Sequence, residues 1–207
     1  MIDLYTWTTP NGRKVSVMLE ECALPYSVHP VNIRDGDQFK PEFVKICPNS
    51  KIPAIVERES GLSMFESGAI LLHLAEKTGK FIPKAGPGRA KALEWLFWQM
   101  ANVGPMLGQV NHFVNAAPEK IPYAIDRYMT ESARLIKVMD DQLGHTEYLA
   151  GDYSIADIAT YPWISIAFKL VAAAKPEVSG EAKNVERWVA AIGARPAVQK
   201  GMAVPKV

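Results

Sequence analysis

The chain predicts an α/β domain followed by an all-helical one. Three features carry this reading. Over the first eighty residues, short apolar runs alternate with patterns of helical period. A break rich in glycine and proline follows, with Gly79, Pro83, Gly86, Pro87 and Gly88 inside residues 77–88. Beyond it strand alternation disappears and only helical periodicity remains. The expected division is residues 1–80 and 88–207.

Composition narrows the function classes. At 207 residues, 48% hydrophobic and 22% charged, the chain can build a sizeable core and is too apolar for disorder. Its 23 Lys and Arg balance 22 Asp and Glu, which gives no footprint for nucleic acid. Two cysteines, Cys22 and Cys47, require no disulfide framework and suit a reducing compartment. The opening residues read as a strand rather than a signal peptide. The longest apolar stretch, 163–174, contains Lys169 and is too short to span a bilayer. The expectation is a soluble, cytoplasmic protein with neither nucleic-acid nor membrane partners.

Element by element, residues 2–5 form the first strand, and Asn11 opens a helix to about Cys22 with Val15, Met18 and Leu19 on one face. Residues 26–31 make a second strand, 41–45 a helical turn and 48–50 a tight turn. Pro53 stands at the mouth of a strand over 54–56, where no ladder bond is lost. Residues 57–61 turn into a strand at 62–65, and a helix starting at Ser67 buries Ile70, Leu71 and Leu74. Past the break, 90–100 is apolar nearly all round, which predicts burial between domains, between subunits, or both. Residues 123–143 give an amphipathic helix with Met129, Leu135, Ile136 and Met139 inward. Ser154 and Asp157 have the spacing of a capping box. A last helix covers 180–192, stopped by Gly193 and Pro196.

Three junctions stand out as candidate chemistry. Thr8-Thr9-Pro10-Asn11-Gly12 joins a strand to a helix start, where Thr9, Asn11 and orphan amides can face an anion. A thiolate there would gain about 0.3–1 kcal/mol from the helix dipole. The same residues also make an ordinary capped helix start. In Lys51-Ile52-Pro53, a cis Ile52–Pro53 bond would turn the Ile52 main chain outward to pair with a bound peptide; otherwise Pro53 only opens the strand. Glu66-Ser67 offers a carboxylate, a hydroxyl and helix-start amides, a set suited to an α-amino-acid head group or to plain capping. Arg134 on its own reads as a solvated residue with Glu131 as its i,i+3 partner. His29, His73, His112 and His145 lack metal-ligand spacing, and neither cysteine has the C-x-x-C context of a redox nucleophile, so no metal is expected and both thiols read as structural.

Taken together, these segments resemble the glutathione transferase superfamily, closest to the bacterial Nu class and the yeast nitrogen-regulator group. The resemblance is carried by Tyr5 to Lys14, Gln38-Phe39-Lys40-Pro41-Glu42-Phe43, Pro48 to Val56, Phe65 to Ile70, Trp95-Leu96-Phe97-Trp98-Gln99, Gly104 to Gln109 and Tyr153 to Ala159. It implies a thioredoxin-like N-terminal domain, with a four-stranded mixed sheet, joined to an all-helical domain in a homodimer. It also implies glutathione as co-substrate, with one or two molecules or oxidised glutathione in each site. Carried over by position, Thr9 and Asn11 lie by the glutathione sulfur. Gln38, Lys51, Ile52, Pro53, Glu66, Ser67 and Arg134 would bind the tripeptide, Ile52 through its cysteinyl backbone and Glu66 with Ser67 through its γ-glutamyl head. The junction lacks the tyrosine, serine or cysteine by which other classes activate sulfur. A bound glutathione thiolate would then be the nucleophile, reducing small-molecule disulfides. The alternatives are conjugation of electrophiles, reduction of organic hydroperoxides, or a non-catalytic glutathione-binding regulator.

Overall fold

Alternating burial along β1 (Ile2–Thr6), with Ile2, Leu4 and Thr6 inside, marks a strand with one face on the core. The computed structural model describes residues 1–207 and pairs β1 in parallel with β2 (Tyr26–Pro30). On its other edge β1 runs antiparallel to β3 (Ala54–Glu57), which pairs antiparallel with β4 (Ser63–Phe65). The order is β2-β1-β3-β4, the four-stranded mixed sheet expected.

The helix α1 (Pro10–Cys22) follows β1 and is held at both ends by local chemistry. Thr9 caps it, accepting the Gly12 amide at 3.2 Å, Pro10 occupies the first turn, and Ala23 ends it in the left-handed region at φ 55°. Gly12 lets the helix approach the strand: a Cβ there would lie 2.2 Å from Thr6 Oγ1 and 2.6 Å from the Trp7 carbonyl oxygen. A short helix α2 (Pro41–Val44) and α3 (Ser67–Thr78) complete the strand-and-helix region.

The helical region starts earlier than expected. α4 (Gly86–Trp98) opens with Gly86 and Pro87, two residues read from sequence as linker; Pro is favoured in a first helical turn because its missing N–H is not needed there. A wide turn over Gln99–Val103 leads into α5 (Gly104–Asn111). Pro105 has no N–H to return to residue 101, and the ladder widens so that Gly104 N–H reaches the Gln99 carbonyl. A second wide turn, His112–Ala116, ends that stretch. α6 (Pro122–His145) buries Met129, Leu135, Ile136 and Met139, as its period predicts.

The apolar run expected at 163–174 belongs to a longer helix, α7 (Ile155–Ala174). It has the length and apolar character to cross a membrane, yet 61% of that stretch is buried. Its start is the capping box: Ser154 and Asp157 exchange hydrogen bonds. Asp157 also accepts from the Leu149 amide at 3.0 Å and from Trp188 Nε1 at 2.8 Å, while burial pushes its carboxyl up to about 6. α8 (Pro176–Ser179) and α9 (Lys183–Gly193) follow.

The chain does not end with that helix. Pro196 opens α10 (Pro196–Met202), where the sequence reading had only a stop. The two compact units are Met1–Lys84 with Gly193–Val207, and Ala85–Ile192. The last fifteen residues therefore join the first unit, a correction to the 88–207 domain. Gly201 packs on α1 so tightly that a Cβ would come within 2.5 Å of Val17 Cα, and Ser16 Oγ donates to the Gly201 carbonyl at 2.7 Å. Arg195 pairs with Glu21 at 2.7 Å and Lys200 with Glu20 at 2.7 Å.

One buried carboxylate contributes to the acid sensitivity of the first unit. Glu57 accepts from His73 Nε2 at 2.9 Å and from Lys77 Nζ at 2.7 Å, and these bonds hold its carboxyl down to about 2. A depressed carboxylate stabilises the fold above its ordinary pKa, and that contribution is lost as pH falls from 4.5 towards about 2. Glu57→Gln is expected to flatten the pH dependence of stability in this window, read by urea unfolding. An unchanged slope would show that the Glu57 cluster contributes nothing.

Candidate functional site

Asn11, Lys51, Ile52, Pro53, Glu66 and Ser67 line one cleft on the first unit. Each arrives from a different local cause. Asn11 lies in the first turn of α1, set by the Thr9 cap and by the Gly12 approach to β1. The Ile52–Pro53 bond is cis, and β3 begins only at Ala54, so Lys51 and Ile52 stand before the ladder. Glu66 sits at φ 71°, a conformation side chains rarely adopt, immediately before α3. It gives no side-chain cap, so the first amides of α3 are not satisfied from that position, and Ser67 is buried beside them.

The loop carrying the cis bond is anchored from beneath. Val31, Phe43, Cys47 and Ala54 form a buried cluster with Tyr5, Ile46 and Ile52 packed against it. The Cys47 thiol, 1% exposed, donates to the Lys51 carbonyl at 3.2 Å. Cys22 lies elsewhere, against Thr78 at 3.5 Å, and burial pushes its thiol up. A nucleophilic thiol needs the opposite shift. No three His, Cys, Asp or Glu side chains come together as metal ligands. His29 pairs with Asp3 and His73 with Glu57.

Three of the nominated residues do not line this cleft. Thr9 caps α1, and its hydroxyl oxygen takes the Gly12 amide, which leaves its own O–H to donate. Gln38, in a short turn over Asp37–Phe39, donates to the Ile33 carbonyl at 3.3 Å, while its Oε1 is buried without a partner. Arg134 belongs to the second unit, on α6, where it grips Glu131 through two bonds of 2.8 and 2.7 Å. That is the i,i+3 pairing its spacing predicts.

Sequence reasoning missed Asn49, Phe65 and Cys47 as lining residues. Asn49 was legible only as a turn residue, and Phe65 as the last residue of a strand. It also missed Lys14, which is 2% exposed on α1. The signal was present: a lysine set among Val15, Val17 and Met18, three residues after Asn11. Chemically, the cleft gathers two helix starts, a main-chain edge, an ammonium at Lys51 and a carboxylate at Glu66. Such a set matches a zwitterionic, extended ligand with a carboxylate of its own.

Comparison with known proteins agrees with this geometry. Residues 1–76 match the glutathione S-transferase N-terminal domain and residues 106–196 the glutathione S-transferase C-terminal domain. The disulfide-bond oxidoreductase YfcG of Escherichia coli is 53% identical over 171 residues, 80% of each chain. A glutathione transferase from Burkholderia graminis, crystallised with two glutathione molecules per subunit, is 44% identical with a TM-score of 0.91, over 99% of this chain and 88% of that one. A glutathione transferase from Pseudomonas putida, with one glutathione disulfide per subunit, is 42% identical with a TM-score of 0.91, over 99% and 91%. A sheet of order β2-β1-β3-β4, a cis proline facing Glu66 and Ser67, and identity above 50% over four-fifths of a relative converge: the chain belongs to the glutathione S-transferase family.

Proposed function

We propose that the protein is a glutathione-dependent disulfide reductase in which bound glutathione thiolate is the nucleophile. The observation that carries this is the pairing of an anion-ready cleft with buried protein thiols: Asn11, Ile52, Glu66 and Ser67 share one site, while Cys22 is raised by burial and the Cys47 S–H donates to the Lys51 carbonyl. The name of the Escherichia coli relative and the glutathione disulfide held by the Pseudomonas putida neighbour support the same chemistry.

Within this reading, Glu66 takes the γ-glutamyl ammonium and Ser67, with the α3 amides, its carboxylate. The Ile52 main chain, held by Pro53, pairs with the cysteinyl residue, and Lys51 faces a tripeptide carboxylate. Thr9 and Asn11 donate to the sulfur, Gln38 holds the peptide, and Arg134 takes a glycyl carboxylate or that of a second glutathione. The thiolate attacks a sulfur of a small-molecule disulfide, the S–S bond breaks, and the substrate leaves as a thiolate that takes up a proton. A second glutathione then attacks the mixed disulfide, releasing the other substrate thiol and oxidised glutathione. The protein contributes orientation and charge stabilisation without a covalent enzyme intermediate.

With 2-hydroxyethyl disulfide, cumene hydroperoxide and a chlorinated dinitrobenzene compared at equal enzyme, turnover should be greatest on the disulfide. Asn11→Ala should lower that turnover at least about tenfold while moving KM for glutathione less, because the side chain meets charge that develops on sulfur. A preference for the aromatic electrophile or the peroxide would assign conjugation or peroxide reduction instead.

The cysteines give an independent check. Cys22→Ser combined with Cys47→Ser should retain most of the reductase activity. Near-complete loss in a double variant with native circular dichroism would show that a protein thiol takes part.

The functional unit in this reading is a cytoplasmic homodimer. Phe97 on α4 is 63% exposed, a large ring left mostly uncovered by its own chain. Sedimentation equilibrium at micromolar protein should give twice the 22.8 kDa chain mass. A single species at the chain mass would refute the dimer.

A further inference from the structure

Period two along β1 divides its side chains between two faces. Ile2, Leu4 and Thr6 are turned inside, so Asp3 and Tyr5 share the opposite face. The parallel register with β2 sets Tyr5 beside His29, and the two rings stack with centroids 4.7 Å apart and 17° between their planes. Phe43 of α2 meets the Tyr5 ring at 6.3 Å and 51°. These three rings, with Val31 and Ile46, line a cavity of about 320 Å³. That volume lies within the roughly 300–1,000 Å³ of small-molecule sites. None of the residues lining the cleft of Asn11, Ile52 and Glu66 lines this one.

Asp37, Lys40 and Glu42 supply the charged part of its lining, and only Glu42 is uncommitted. Lys40 pairs with Asp37 at 2.6 Å, and the second oxygen of Asp37 accepts the Asn32 amide at 2.9 Å. His29 is engaged as well, its Nε2 lying 2.8 Å from Asp3 Oδ1. Glu42 makes no ion pair, and its side chain is exposed. The cavity thus presents one unpaired negative charge beside the faces of aromatic rings, and both attract a cation. A ring seated on Tyr5 and Phe43, with an ammonium reaching towards Glu42, satisfies the apolar wall and the charge together.

One apolar cluster faces both cavities. Tyr5, Val31, Phe43 and Ile46 line the aromatic one, while Cys47 and Ile52, which belong to the same cluster, line the cleft at the cis proline. We propose that the aromatic cavity binds a small organic ammonium, an aromatic ring carrying a protonated alkylamine, and that its occupancy is coupled through this cluster to the cleft at Ile52. A ligand in either cavity favours the packed cluster over looser arrangements, so each raises the affinity for the other by the same factor. The binding half stands on the cavity alone. The coupling half rests on the reading that glutathione occupies the cleft.

Titration calorimetry with 2-phenylethylamine as the cationic probe and 2-phenylethanol as its neutral counterpart tests both halves. The amine should bind with Kd below about 1 mM. The alcohol should bind at least about threefold more weakly, and Glu42→Gln, a change at an exposed position, should abolish that difference. Saturating amine should tighten glutathione binding at least about twofold, and glutathione should tighten the amine by the same factor. No amine binding up to about 10 mM, equal affinity for amine and alcohol, or an unchanged preference in Glu42→Gln would overturn the site. Amine and glutathione binding independently would overturn the coupling. Competition between them would place the amine in the cleft of Ile52 and overturn both halves. A protein that binds the amine by these criteria but takes no glutathione would keep the aromatic site and remove the glutathione reading, and the coupling with it.

Discussion

The close seating of α1 is the constraint on which the site depends. On one side, Gly12 allows the first turn to lie where a Cβ would strike Thr6 Oγ1 at 2.2 Å. On the other, Gly201 brings α10 onto Val17, where a Cβ would come within 2.5 Å of backbone. Real Cβ atoms do not make such contacts, so a side chain at either position would displace the helix. Asn11 and Lys14 ride on that helix, and Thr9 caps it; the geometry of all three is inherited from packing at two glycines 189 positions apart (201 − 12).

The rest of the cleft is built from the opposite direction, by the loop before β3 and the turn before α3. The Cys47 thiol and a small apolar cluster hold the loop from below, and a left-handed Glu66 sets the entry to α3. Backbone strain of this kind, about 1–3 kcal/mol, persists where surrounding structure over-determines it, and such sites concentrate where ligands are bound. The electrostatic consequence is consistent across the cleft. Helix starts and Lys51 favour anions, Glu66 favours an ammonium, and burial raises the Cys22 thiol rather than activating it.

Much of this was legible in the residues. The sheet, α1, α3, α6 and the Ser154–Asp157 capping box follow from period and capping chemistry, which act over a few residues and leave local traces. The junctions at Asn11, Ile52–Pro53 and Glu66–Ser67 were legible for the same reason, and the structure brings them into one cleft. What escaped was long-range or ambiguous. Pro196 reads equally as a helix stop or as the first turn of a new one, and only packing on α1 selects the second. Gly86 and Pro87 carry the same ambiguity at the start of α4. The widened turn at Gln99–Val103 depends on how the chain absorbs the missing N–H of Pro105. Burial of Lys14 left its trace only in the apolar neighbours Val15, Val17 and Met18, because a lysine is ordinarily solvated.

The central claim is that a glutathione sulfur lies against the start of α1 and is itself the nucleophile. A crystal structure of the protein with reduced glutathione tests this most directly. The account predicts the sulfur within hydrogen-bond reach of Asn11 Nδ2 or Thr9 Oγ1, the cysteinyl main chain paired with Ile52, and the γ-glutamyl head at Glu66 and Ser67. A tripeptide bound with its sulfur turned away from α1, or covalently joined to Cys22 or Cys47, would contradict it.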